Sequence, residues 1–218
     1  MKIELRLILV TCLLCVFGCV YPFNSSTEVG GDYHISPLEK DIVREIALAR
    51  TNPRRYASFL EERKKHYDGK LFYTSDGTIL RTKEGVRAVN EATGFLRSVS
   101  KLPPLSLSRG MSLGAKDHVR DIGPRGATRH EGRDGSKTSD RVSRYGTWQG
   151  QIGENIFYGG EEAREIVMGL IIDDGVKSRG HRKNIFNPYF RVIGVGCGYH
   201  DKYRSACVIT FAKGYIDK

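Results

Sequence analysis

The chain has 218 residues, with 35 Lys and Arg against 25 Asp and Glu and a formal net charge of +10. That length suits one domain with a substantial core and short appendages. The basic residues are interleaved with acids, without a basic helix or an aromatic-basic stripe, which argues against nucleic-acid binding. The absence of a phosphate loop, a dinucleotide fingerprint or a serine-base pair argues equally against a nucleotide cofactor and serine chemistry.

Residues 1–18 read as an export signal, with Lys2 and Arg6 ahead of an apolar run from Leu7 to Phe17 that is too short to span a bilayer comfortably. Val16-Phe17-Gly18-Cys19 resembles a bacterial lipobox, in which Cys19 would become the lipidated first residue of the mature protein. Acyl chains on Cys19 would then hold the protein to the membrane without a spanning helix. Phe17 is bulkier than is usual there, so ordinary signal cleavage nearby is the alternative. Residues 19–35, rich in Gly, Ser, Asn and Thr, read as a flexible tether, and residues 36–218 as the domain. These features place the protein outside the cytoplasm, lipid-anchored in a bacterial envelope or extracellular, where a basic domain is drawn to anionic headgroups or wall polymers.

Ser36-Pro37-Leu38-Glu39 predicts a capping box with proline at the first helical position, and Leu38, Ile42, Ile46 and Ala49 give the helix a buried face. Asn52-Pro53 opens a second helix that buries Tyr56, Phe59 and Leu60. The 67–83 stretch carries turn signals around short β-prone pieces, which suits either a hairpin over a cleft or a surface excursion. A helix follows from about Lys83 to Val99, and another begins after Ser108 with Met111, Leu113, Ala115, His118, Val119 and Ile122 as its inner side. A loop from Gly123 to Lys137 and a short helix near Asp140 lead to a strand over Gln151–Phe157. One more helix carries Ile166, Val167, Leu170 and Ile171 before two closing strands, Val192–Gly198 and Ala206–Ala212. Of the five cysteines, Cys12 and Cys15 leave with the signal and Cys19 is the lipid candidate. Cys197 and Cys207 then sit on the closing strands, either as a cross-strand disulfide or as two buried thiols. A nucleophilic Cys197 beside His200 lacks an orienting group.

Between Arg129 and Ile185, four glycine-bearing clusters carry His130, Glu154, Asp173 with Asp174, and His181. Two imidazoles and two carboxylates suit either a zinc-type ion with open positions or hydrogen-bonded acid/base pairs, and the spacing does not choose between them.

Gly153-Glu154-Asn155-Ile156, Gly180-His181-Arg182-Lys183-Asn184-Ile185 and Ile193-Gly194-Val195-Gly196, in that order, resemble the signature of the CAP superfamily, or SCP domain. This family takes in cysteine-rich secretory proteins, antigen 5 and plant pathogenesis-related class one proteins. The resemblance runs from about Ser36 to Tyr215. It implies an α+β fold, an α-β-α sandwich with a small, mainly antiparallel sheet between helical layers. It also implies a cleft tetrad of His130, Glu154, Asp173 and His181, in which His130 and His181 can hold Zn2+ or another divalent cation. His118, Asp174 and Arg182 then stand behind the tetrad. The chain departs from the family pattern where a bulky aromatic and a glutamate are usual, placing Leu170 and Asp173 there instead. Asp173 is one methylene shorter, so Asp174 competes with it for His181, and Arg179 and Arg182 are expected to pair with one of these aspartates. Three functions follow: a binding module for a lipid, glycan or protein ligand, which is favoured; a metal-dependent peptidase or esterase with Glu154 or Asp173 as base; and a structural tetrad without a ligand. Oligomeric state is not legible.

Overall fold

A computed structural model describes residues 34–74 and 77–218. The signal, Cys19 and the tether up to residue 33 lie outside the described residues. The compact unit spans Tyr33–Lys218. Among the described residues every core side chain lies within it, so the unit carries a core of its own.

Helix α1 (Pro37–Thr51) starts on the expected capping box, with Ser36 and Glu39 satisfying each other's backbone amides. Ile42, Ile46 and Ala49 are buried. Glu39 does more than cap: it is itself buried, accepts the Cys197 amide at 2.9 Å and pairs with Lys116 at 3.2 Å. Helix α2 (Pro53–Lys64) is capped by Asn52 and buries Tyr56 and Leu60. The 67–83 stretch forms a separate antiparallel sheet of β1 (Tyr67–Asp68), β2 (Leu71–Tyr73) and β3 (Ile79–Arg81). Helix α3 is shorter than the periodicity suggested, Val86–Ser98. The amides of Lys83 and Glu84, expected in its first turn, instead bond the Asp174 carboxylate at 2.6 and 2.7 Å.

The main sheet has the order β4-β6-β7-β5. Its strands are β4 (Ser106–Leu107), β5 (Gly146–Tyr158), β6 (Val192–His200) and β7 (Arg204–Asp217), and β4 joins parallel to β6 while the other pairings are antiparallel. Strand β5 begins five residues earlier than expected and bulges between Gln149 and Ile152. Helices α4 (Arg109–Ile122) and α5 (Thr138–Ser143) cover one face of the sheet. On the other face lie α1, α6 (Ala163–Ile172) and the short α7 (Gly180–Ile185). This is an α-β-α sandwich.

Strand alternation explains the Ile193-Gly194-Val195-Gly196 pattern. Ile193 and Val195 enter the large core with Ile209 and Phe211. The glycines point the other way, where a Cβ at Gly194 would lie 2.3 Å from the Met111 carbonyl carbon and one at Gly196 would lie 2.6 Å from the Lys116 nitrogen. Glycine here lets the α4 backbone rest on the sheet, and α4 sets the loop that follows it.

Cys197 and Cys207 are direct cross-strand partners and are bridged. A crosslink over a sequence separation of 10 restricts the unfolded chain by about 2–3 kcal/mol on the loop-closure account. The Cys197→Ala/Cys207→Ala variant of residues 33–218 should therefore unfold at lower urea, with an equal or steeper denaturant slope as the released unfolded chain expands. Coincident unfolding curves for variant and wild type would refute a stabilising role.

Candidate functional site

Strand β5 is an edge strand, and the candidate residues collect on both of its faces. Glu154 lies on the side of Ile156, which packs with Ala115, Val119 and Ile122 of α4. Asn155 lies on the opposite side, toward α7.

On the first side, Glu154 Oε1 meets His130 Nδ1 at 2.9 Å and Glu154 Oε2 accepts from Arg141 Nη2 at 2.7 Å. Arg141 also donates to the carbonyls of His130 and Ser136 at 3.2 and 2.7 Å, so one guanidinium fixes both ends of the loop that presents His130. Behind it, His118 is fully buried on α4, with Nε2 2.9 Å from the Arg129 carbonyl. A carbonyl only accepts, so His118 carries its proton on Nε2 and leaves Nδ1 as a buried acceptor. Burial pushes the His118 imidazole below its ordinary 6.5, and Arg141 adds to the shift against the pull of Glu154. Burial alone would raise the Glu154 carboxyl, yet the His130 hydrogen bond and the Arg141 charge hold it below its ordinary value.

On the second side, Asp173 closes α6 in the left-handed conformation, at φ 56°. Its carboxylate thereby turns onto the first turn of α7, accepting the His181 amide at 3.0 Å and meeting His181 Nδ1 at 2.7 Å. Asn155 Nδ2 donates to the His181 carbonyl at 3.0 Å, and Asn184 Nδ2 donates to Asn155 Oδ1 at 2.8 Å, latching α7 to β5.

Three sequence expectations need correction. Asp174 does not compete for His181, because its two oxygens hold the Lys83 and Glu84 amides. Arg179 pairs with Glu84 and Glu91 at 2.7 and 2.5 Å, not with either aspartate carboxylate. Arg182 also takes Glu91, at 3.1 Å, and donates to the Ile171 and Ile172 carbonyls at the end of α6, so it joins α7 to α3 and α6. His200 is buried against the Ala127 carbonyl, and Cys197 is in the disulfide, which removes the thiol-nucleophile arrangement.

The structure therefore brings together two His-acid pairs, joined through the adjacent residues Glu154 and Asn155, without a direct hydrogen bond from pair to pair. The histidine side chains are exposed, His130 by 58% and His181 by 25%, whereas those of Glu154 and Asp173 are exposed by 3% and 1%. Among the described residues, no group of three or more His, Cys, Asp or Glu side chains is placed to hold a metal ion. Arg141 and Asn155 were not singled out from sequence. An arginine in a six-residue helix carries no pattern that marks it as buried, whereas Asn155 stands inside a strand, where asparagine is disfavoured, and that was a usable signal.

The profile of the Cysteine-rich secretory protein family, CAP, matches residues 86–211, more than half of the chain. The chain belongs to this family. All four tetrad residues fall inside the matched CAP stretch, whereas α1, α2 and the small sheet precede it. The uncharacterized protein YkwD of Bacillus subtilis is 31% identical over 110 residues, covering 50% of this chain and 41% of that protein. The chain thus spans about two-fifths of that relative's length. An extracellular SCP-domain protein of Bacillus anthracis aligns at 25% identity over 52% of this chain and 35% of its own, with a TM-score of 0.41. An outer surface protein of Borrelia burgdorferi aligns at 18% identity over 51% and 78%, with a TM-score of 0.43.

The depressed His118 has a direct consequence for stability. The unfolded chain takes up a proton near pH 6.5 that the folded chain refuses, so stability falls as pH drops below that value. Thermal melts of residues 33–218 in chelator should shift to lower temperature as pH falls below 6.5, the ordinary value from which the buried His118 is lowered. His118→Gln, which keeps a donor for the Arg129 carbonyl, should flatten that part of the profile. An identical decline in the variant would assign the effect to other groups.

Proposed function

We propose that this CAP domain is an exported binding module of the bacterial envelope whose cleft presents two oriented imidazoles, His130 and His181, to a ligand. The observation that carries this reading is the direction of the hydrogen bonding. Each carboxylate is buried with both oxygens engaged, and each holds a histidine by Nδ1. The Nδ1 proton then faces the acid, and the Nε2 lone pair is the free acceptor. Among the described residues, no hydrogen bond is made to either Nε2. A carboxylate behind an imidazole is the usual support of a metal-ligating histidine. The donor set suits a divalent cation such as zinc held by His130 and His181 Nε2, with the remaining positions left to water or ligand oxygens. A bound cation would supply positive charge for an anionic or carbonyl-bearing group of the lipid, glycan or protein ligand.

The hydrolase reading is weaker. A general base must reach water or substrate, and the Glu154 and Asp173 side chains are only 3% and 1% exposed. A purely structural tetrad fits poorly with the exposure of both histidines, since a histidine that only ties elements together is normally covered, as His118 and His200 are.

Export rests on residues 1–18 and anchoring on Cys19. Labelled fatty acid should enter the full chain in a bacterial host and fail to enter Cys19→Ser; labelling of that variant, or none of the wild type, would return the protein to ordinary signal cleavage. The cleft itself is tested by calorimetric zinc titration of metal-stripped residues 33–218. Micromolar or tighter binding is expected, lost in His130→Ala/His181→Ala and weakened about 10- to 100-fold by Glu154→Gln or Asp173→Asn. A folded wild type that binds no zinc would sink the metal-holding cleft. Turnover of model peptides or esters that is lost in His181→Ala would replace binding by hydrolysis.

A further inference from the structure

The 67–83 sheet lies outside the matched CAP stretch and is not absorbed by the cleft. Its register pairs Leu71 with Arg81 and Tyr73 with Ile79, so these four side chains share one face, with Asp68 at its β1 margin. The opposite face is the packed one. Phe72 is buried there, its ring tilted against Tyr67 at a centroid distance of 4.8 Å and lying 4.0 Å from the Arg63 guanidinium of α2. The sheet is thus held by one face only. Its other face sets Leu71, Tyr73 and Ile79 in solvent, with Ile79 56% exposed, while Leu80, the partner of Phe72 on the packed face, is exposed beyond the reach of α2.

A cluster of large apolar side chains on so small a sheet needs an explanation, since soluble domains rarely leave such residues contiguous and uncovered. The surrounding charge suggests what covers it. Lys70 stands in the β1-β2 turn, Arg81 on the face itself and Lys83 just past β3, all exposed. None of these three has an ion pair among the described residues; Asp68 is the one acid on the three strands, and Glu84 and Asp174 lie beside Lys83 only, leaving Lys70 and Arg81 as the cations nearest the face. The face is one side of a short three-stranded ribbon, with strands of two or three residues, so it offers a partner helix or peptide little length to dock along. A tyrosine among aliphatic side chains, ringed by lysine and arginine, matches the interfacial zone of a bilayer, where aromatic rings sit at headgroup depth and cations meet lipid phosphates.

The geometry points to the Leu71-Tyr73-Ile79 face as a membrane-contact surface that sets the domain on an anionic phospholipid bilayer. This contact is independent of the cleft and of Cys19. It would hold the domain against the membrane even without an acyl chain, acting as the second of the two weak attachments that stable anchoring requires.

The test is sedimentation of residues 33–218, which lack the apolar leader and Cys19, with vesicles of phosphatidylglycerol or of phosphatidylcholine at low salt. Binding to phosphatidylglycerol and not to phosphatidylcholine is expected, weakening as salt rises. Lys70→Gln/Arg81→Gln should bind about thirtyfold more weakly. Tyr73→Ser/Ile79→Ser should bind at least tenfold more weakly, with both variants melting like the wild type. The His130→Ala/His181→Ala variant should bind vesicles as the wild type does, which separates this result from failure of the cleft reading. No wild-type binding to phosphatidylglycerol, or binding as tight as the wild type's by either sheet variant, would overturn the proposal. So would a dimer in analytical ultracentrifugation that Tyr73→Ser/Ile79→Ser dissolves, which would make the face a contact between two copies of the chain.

Discussion

A guanidinium taken out of water must be met by acceptors on nearly every donor, and this constraint shapes both histidine-bearing segments. Arg141 and Arg50 are among the largest fully buried side chains in the domain. Arg141 draws in Glu154, the His130 carbonyl and the Ser136 carbonyl. Arg50, near the end of α1, takes the carbonyls of Pro103, Ile185 and Asn187 at 2.9, 2.6 and 3.2 Å. Burial lowers the Arg50 guanidinium to about 10, with Arg191 contributing, yet it remains charged at neutral pH. Each arginine therefore fixes irregular backbone that has no sheet or helix ladder of its own: the loop before α5 in one case, the end of α7 in the other. Removing either would strand several buried carbonyls at once, which is why such residues act as organisers more than as single contacts.

The site also depends on β5 lying at the edge of the sheet. A central strand would have its backbone paired on both sides, leaving no carbonyl free for a side chain of α7 to reach. At the edge, Glu154 serves the α4 side while Asn155, one residue on, serves the α7 side. Asn184 completes the arrangement by donating to both Asn155 Oδ1 and the Glu154 carbonyl. It covers part of an edge that would otherwise be open to strand pairing. The Glu154-Asn155 dipeptide is the hinge of the site because a strand's period of two sends its neighbours to opposite faces.

Much of this was legible in the sequence where a local rule was at work. The Ser36 cap, the buried faces of α1, α4 and α6, and the closing hairpin follow from periodicity and capping chemistry. The Ile193-Gly194-Val195-Gly196 alternation even states which face of β6 meets a helix backbone. What was not legible were partnerships between distant segments. Nothing near Asp174 marks it as the acceptor for Lys83 and Glu84, which lie 91 and 90 residues away. Likewise, Arg179 finds Glu84 and Glu91 because α3 packs beside the α6-α7 turn, a fact of the tertiary fold. The tetrad positions could be named in advance through family resemblance. How each pair is oriented could not, because that depends on backbone conformation at Asp173 and on Arg141.

Asp173 shows how a short acid can hold an imidazole on the following helix. It does not continue α6. Instead it sits one position beyond α6 in the left-handed region, which aspartate and asparagine tolerate better than longer or branched residues. The backbone turn supplies the reach that the side chain lacks. It also brings Oδ2 to the His181 amide, so the same residue ends one helix, caps the next and sets the imidazole between them. Aspartate and the left-handed turn are therefore one solution and not two, and the geometry of His181 follows from both.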